Sequence, residues 1–326
     1  MDELRFDNQV VLITGAGRGI GRAHAMLCAA RGALVVVSDA GTELFGTGAD
    51  ASPAHDVAAA IHDAGGQAVV YLGDLSTEDG ARGAVQATLH AYDRIDAIVH
   101  NAGFTLGGMA FEHETLDRLD ALLAINTRAA YAIAQEAWPV MQAQRYGRIV
   151  LTSSSALHGL PRSIPYSVAK ASLIGLTRGL AAEGAMHGIR VNAVEPAAAT
   201  RMAENLAESQ FRRWFLATMR PELVSPVVAL LAHERCPVNG EFLVAGGGRV
   251  GRTLFAETRG YVNHDLTPED VRDHFAEVMH ETNHVVMRDG VHAVAYNAEV
   301  LGFTATEPVT VAAGAAAPEG VSRRMQ

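Results

Sequence analysis

The run Thr14-Gly15-Ala16-Gly17-Arg18-Gly19-Ile20-Gly21 constrains this chain more than any other segment. It stands between a short apolar run, Val10 to Thr14, and a helical pattern, Arg22 to Arg31, closed by Gly32. Glycines there allow a tight strand–turn–helix passage. They also bring backbone N–H groups close to a pyrophosphate resting at the helix N-terminus. A bare glycine cluster can serve any turn, so the strand–turn–helix context carries the reading. Asp39 adds a second point. It closes the next strand, Leu34 to Ser38, about twenty residues on, where a carboxylate can bind a ribose 2′-hydroxyl and repel a 2′-phosphate. The pair predicts NAD rather than NADP, with Gly15, Gly17, Arg18, Gly19, Ile20, Gly21 and Asp39 as contacts.

Beyond this point strands and helices alternate. Strands are predicted at Ala68 to Leu72, Ala97 to His100, Arg148 to Thr152, Arg190 to Val194 and, last, Glu241 to Val244. Helices are predicted at Asp56 to Asp63, Asp79 to Tyr92, Leu116 to Met141, Tyr166 to His187 and Pro221 to His233. Strand runs that are apolar on both faces indicate a mostly parallel sheet covered on both sides, an α/β doubly wound fold. Ligands then bind beyond the carboxyl ends of the strands. The Gly/Ala/Ser/Pro segment 41–53 reads as an excursion from that face. Residues 1–248 form the predicted dinucleotide-binding domain. Residues 249–326 form an extension packed on the core or on a neighbouring subunit, with a helix at 268–280 and a loose tail from about residue 310.

Composition excludes several classes. The net charge of -10 offers no basic field for nucleic acid. Two cysteines, Cys28 and Cys236, make no secreted disulfide framework. No apolar run approaches the roughly 18 residues that would span a bilayer. The acidic start enters a strand at once, unlike a signal peptide. These features predict a cytoplasmic location. Of 26 basic residues, only Lys170 is a lysine.

That lysine stands four residues after Tyr166, in Tyr166-Ser167-Val168-Ala169-Lys170. On a helix the two share a face. A close ammonium favours the phenolate of a tyrosine whose unperturbed pKa is about 10. Tyr-x-x-x-Lys also arises by chance in many helices. Here an amine is kept where every other basic position is arginine, whose fork is bulkier and more diffuse. Ser153-Ser154-Ser155 closes the preceding strand and can offer a hydroxyl to a substrate oxygen. Asn126 can hold a water that connects the lysine to solvent.

Taken together, these residues resemble the short-chain dehydrogenase/reductase family. The likeness rests on the glycine motif, Asp74-Leu75, Asn101-Ala102-Gly103, Asn126, the serines, Tyr166 with Lys170, and Asn192-Ala193-Val194-Glu195-Pro196. It spans roughly residues 8–248 in the family's order. It implies a seven-stranded Rossmann-type sheet and hydride transfer at nicotinamide C4. Tyr166 is then the acid/base, Lys170 a ribose binder and pKa modulator, and Asn126 a proton-relay member. Asp74 with Leu75, Asn101, Ala102, Gly103, Pro196 and Thr200 become further cofactor contacts. The resemblance also implies a homodimer or homotetramer.

Segments 33–50, Ala199 to Glu204, Arg220 to Val224 and His233 to Gly240 resemble a subgroup. It is the hydroxyacyl-CoA dehydrogenase domain of peroxisomal multifunctional beta-oxidation enzymes. The implied substrate is a 3-hydroxyacyl-CoA or a related lipid or steroid alcohol. The apolar segment Phe211 to Met219 falls where the family's substrate lid lies. Arg212 and Arg213 there either meet coenzyme A phosphates or are solvated. The chain departs from the family at Ala197, where a glycine is usual, and at His100, where an asparagine is usual. Counting back from Tyr166 gives Ser153 as the catalytic serine. Strand register gives Ser154 and is preferred, because register fixes side-chain direction. A non-catalytic NAD-binding scaffold is the alternative function, supported only by Ala197 and His100. His280-Glu281-Thr282-Asn283-His284 matches a zinc-protease pattern, but with 14 histidines and no third ligand in view no metal is expected.

Overall fold

The computed structural model describes residues 3–201 and 207–303. The chain divides into two compact units, Met1–Thr253 and Leu254–Gln326. In the first, strands and helices alternate: β1 (Val10–Thr14), α1 (Gly19–Ala30), β2 (Leu34–Ser38), α2 (Ser52–Asp63), β3 (Gln67–Tyr71), α3 (Glu78–Tyr92) and β4 (Ala97–His100). Next come α4 (Leu116–Leu123), a π-helical turn (Ala124–Arg128), α5 (Ala129–Gln144), β5 (Gly147–Thr152), α6 (Ile164–Gly184) and β6 (Ile189–Pro196). The unit closes with α7 (Gln210–Thr218), α8 (Ser225–Ala232), β7 (Phe242–Gly246) and β8 (Arg249–Thr253).

The sheet runs β3-β2-β1-β4-β5-β6-β7-β8, with α1 and α8 packed together on one face and α3 and α5 on the other. This is the predicted doubly wound arrangement. The strand order reverses between β1 and β4, so a crevice opens where their carboxyl ends diverge. Central strands are buried throughout, as in Val10–Thr14 and Gly147–Thr152. Their β-branched residues suit a pleated surface covered on both sides. Each buried valine or isoleucine contributes about 1.5–3 kcal/mol of transfer free energy.

The sheet has eight strands, not seven. The added strand, β8, pairs antiparallel with β7. Gly247 and Gly248 both take positive φ, 58° and 84°, as a tight primed hairpin turn demands. The polar sequence of β8 hid it, because an edge strand of this kind lacks the apolar run of its parallel neighbours. The helix predicted from Leu116 to Met141 is interrupted by the π-helical turn. The one predicted from Pro221 is a 3-10 turn, Pro221–Leu223, followed by α8.

In the second unit, β9 (Ala256–Glu257) pairs antiparallel with β10 (Val285–Val286). The helix expected at 268–280 is two short pieces, α9 (Pro268–Asp273) and α10 (Phe275–Val278), and α11 (Gly290–Val300) follows. Thr267 and Asp270 form a capping box at the start of α9. The predicted loose tail lies outside the described residues. The His280 to His284 segment is not helical, and Asn283 takes φ 64°. The two imidazoles therefore do not stack on one helix face. Among the described residues, no group of three or more His, Cys, Asp or Glu could hold a metal, and no single helix is long and apolar enough to cross a membrane.

Candidate active site

A cleft of about 520 Å³ opens at the carboxyl ends of the strands. Its walls include Gly15, Arg18, Gly19, Ile20, Asp39, Asp74, Leu75, Asn101, Ala102, Gly103, Ser153, Ser154, Tyr166, Lys170, Pro196 and Thr200. Gly17, Gly21 and Asn126 do not line it. The two glycines shape the turn from behind, and Asn126 lies fully buried.

The glycine turn is as tight as its sequence implies. Gly15 takes φ 63°, and a Cβ there would stand 2.8 Å from the Cα of Ala102. A Cβ at Gly21 would run into the carbonyl of Gly15. The turn is thus drawn against β4's loop on one side and α1 on the other. Asp39 braces it: Gly17 N–H donates to one carboxylate oxygen and Gly41 N–H to the other, each at 2.7 Å. From below, Asn101 Nδ2 donates to the carbonyls of Thr14 and Gly15 at 3.3 and 3.2 Å. Asn101 is therefore a clamp on the turn as well as a wall of the cleft. Asp74 accepts from the backbone and hydroxyl of Ser76 at 2.9 and 2.7 Å. This cradle, with no room for a Cβ and a carboxylate at its far side, fits the pyrophosphate and ribose of a dinucleotide.

At the other end, α6 carries Tyr166 and Lys170 one turn apart. The ammonium of Lys170 donates to the carbonyl of Thr152 at 2.7 Å and lies 5.7 Å from the centre of the Tyr166 ring. Lys170 is only 4% exposed. Burial disfavours its charge and pushes its pKa down to about 7. Burial also pushes the Tyr166 phenol up, while a hydrogen bond with the Ser154 side chain pulls it back down. The lowering of the tyrosine by the lysine that the spacing suggests is absent from this balance, in which desolvation of the phenol leads.

The two serines point differently. Ser154 faces Tyr166 and accepts from Ala156 N–H at 3.2 Å. The Ser153 hydroxyl donates to the carbonyl of Lys170 at 3.2 Å. Asn126 sits within the π-helical turn, where Nδ2 donates to the carbonyls of Leu122 and Phe104 at 3.0 and 3.3 Å. Its Oδ1 is buried with no protein donor. A Cβ at Gly103 would meet that oxygen and stand 3.5 Å from Lys170 Nζ, so the three groups enclose one small polar space.

Sequence reasoning missed several contributors. The 41–53 excursion supplies Thr42, Glu43, Leu44, Phe45 and Gly46 to the cleft wall, and Phe104 and Leu106 stand there too. Phe45 remains half exposed despite its size, a signal visible only after folding. In α7, Arg212 and Arg213 both pair with Glu208, at 2.7 and 3.2 Å. Phe211 there stacks loosely on Trp214 and Phe215. Met202, Ala203 and Glu204 lie outside the described residues.

The chain is similar to known proteins in sequence and in fold. The family model for short chain dehydrogenases matches residues 9–210. A short-chain type dehydrogenase/reductase of Mycobacterium tuberculosis is 38% identical over 274 residues, covering 83% of this chain and 94% of that protein. The peroxisomal multifunctional enzyme type 2 of Mus musculus is 37% identical over 285 residues, 86% of this chain and 38% of the enzyme. The structure of full-length peroxisomal multifunctional enzyme type 2 from Drosophila melanogaster superposes with a TM-score of 0.74 at 29% identity. That match covers 91% of this chain and 50% of the other. The chain thus spans half or less of these two multifunctional relatives. Both are peroxisomal by name, which overturns the expected cytoplasmic location. The net charge of a chain bears on solubility and association, not on compartment. With a matching family model, close relatives and a glycine cradle on a doubly wound sheet, this chain belongs to the short-chain dehydrogenase/reductase family of NAD(P)-binding oxidoreductases.

Proposed function

We propose that the protein is an NAD-dependent dehydrogenase/reductase whose substrate is a 3-hydroxyacyl-CoA or a related lipid or steroid alcohol. The observation that carries the reading is the convergence of Ser154, Tyr166 and buried Lys170 in the cleft that also holds Asp39. Bound nicotinamide would supply or accept the hydride at C4. The Ser154 hydroxyl orients the substrate oxygen, and Tyr166 takes or delivers its proton. Lys170 spends one N–H on Thr152 and keeps the others for ribose hydroxyls. Those acceptors favour the ammonium, which in turn favours the phenolate. Asn126 Oδ1 anchors a water beside Lys170 and so links the pair to solvent. The Asp39 carboxylate repels a 2′-phosphate, which supports NAD over NADP. The likeness of segments 33–50 and 199–204 to the hydroxyacyl-CoA dehydrogenase subgroup supports the substrate class.

The test is turnover of purified protein with NAD and NADP across hydroxyacyl thioesters, steroid alcohols and small secondary alcohols, followed by nicotinamide absorbance. Activity is expected with NAD and a thioester or steroid. Turnover of small alcohols alone, or preference for NADP, would reject the substrate or cofactor assignment. A second test follows from Gly103. Gly103→Ala places a methyl between Asn126 Oδ1 and Lys170 Nζ. Turnover should fall about tenfold or more, beyond any change in the KM for the nucleotide. An unchanged kcat would remove the water-bearing role from Asn126.

A further inference from the structure

His100 ends β4 and is 2% exposed. Its Nδ1 lies 3.1 Å from the hydroxyl of Thr14, at the end of β1. Its Nε2 lies 3.2 Å from the carbonyl of Ile125, in the π-helical turn. The same Thr14 oxygen accepts from the backbone N–H groups of Asn101 and Ala102 at 3.1 and 3.0 Å. A hydroxyl has two lone pairs and one proton. The two N–H groups occupy both lone pairs, so the proton goes to His100 Nδ1. That nitrogen must be bare, and Nε2 must carry the hydrogen donated to Ile125. An imidazolium would aim a second N–H at an oxygen with no lone pair left. Burial and the nearby charge of Lys170 act in the same direction, holding the imidazole pKa down to about 4.

We infer that His100 is a positioning residue, which ties the π-helical turn to the end of β1 and thereby sets the orientation of Asn126. Ile125 immediately precedes Asn126, so fixing its carbonyl fixes the peptide plane from which the amide side chain projects. A turn widened by one residue holds its own hydrogen bonds less regularly than an α-helix, and an outside donor gives it a defined register. One side chain thus couples the strand feeding the glycine turn to the residue beside Lys170. The catalytic part of this inference rests on the proposed role of Asn126.

Two substitutions test the tie to Ile125. Glutamine can place an amide N–H where Nε2 stands, whereas alanine supplies no donor. His100→Gln is expected to keep turnover within a few-fold of wild type. His100→Ala should lose about 10²-fold in kcat with the KM for NAD little changed, as a displaced proton-relay group would require. Melting temperatures of both variants separate this effect from general loosening. Equal losses in the two variants, or wild-type turnover in His100→Ala, would overturn the inference. Two further readouts need no activity. Imidazole ¹⁵N shifts of the wild-type protein should report the Nε2–H tautomer at neutral pH. Hydrogen exchange across Ala124–Arg128 should accelerate in His100→Ala and not in His100→Gln. A protonated or Nδ1–H imidazole, or unchanged exchange, refutes the positioning role. If no substrate is turned over, the proposed function fails, and these two readouts still decide the role of His100.

Discussion

Tyr166→Phe is expected to lower turnover by about 10³-fold while leaving NAD affinity close to wild type. The phenol oxygen is the group placed to exchange a proton with a substrate bound at Ser154. Removing it deletes an interaction used only as the proton moves. The aromatic ring, which lines the cleft, remains, so the cleft keeps its shape. The measurement is kcat and KM for the best substrate of the panel, with NAD binding followed by fluorescence titration. A loss confined to KM would make Tyr166 a binding residue. A loss below tenfold would remove it from the proton transfer.

Lys170→Arg and Lys170→Met are both expected to lose about 10²-fold or more in turnover. Arginine keeps the charge but not the fit. Nζ donates to the Thr152 carbonyl beside Gly103 as a compact point donor, a contact that a longer, planar fork cannot reproduce in the same place. If Lys170→Arg matches wild type, charge alone suffices and the geometric argument fails. The same residue sets a stability trend in the chain without nucleotide. Its amine titrates at about 7 when folded, against an ordinary value of 10.5 for a lysine exposed in the unfolded chain. Between these values the unfolded chain binds a proton that the folded chain does not. Stability from this group therefore rises with pH across that window. At and below the folded pKa the buried ammonium costs stability in full. Urea midpoints between about pH 7 and 10 should climb for wild type relative to Lys170→Met. Parallel curves would mean that the amine stays charged and solvated.

Much of this protein is legible in its sequence. Strand–turn–helix periodicity around Thr14 to Gly21 identifies the doubly wound class, because few other folds need so many glycines at a strand's carboxyl end. Tyr166 and Lys170 are one turn apart on any helix, so their pairing is local and readable. The failures are equally physical. β8 is polar, and only its antiparallel pairing with β7 reveals it. The π-helical turn within Leu116–Gln144 leaves no mark on hydrophobic periodicity, yet Asn126 depends on it. The 41–53 excursion reads as a surface loop, and its place in the cleft wall is a long-range contact. Compartment is not encoded in net charge, so composition could not give it.

The sequence by itself determined the doubly wound fold, the glycine cradle with Asp39, and the identity of the lone lysine beside its tyrosine. These rest on spacing within one element or across one turn, where local geometry leaves little choice. The tertiary structure alone decided the orientation of the two serines and the tautomer of His100. It also decided that burial pushes Lys170 and Tyr166 away from their charged forms. Those properties depend on atoms brought together from β1, β4, β5, α6 and the π-helical turn. Hydrogen-bond direction and desolvation exist only once those elements have packed.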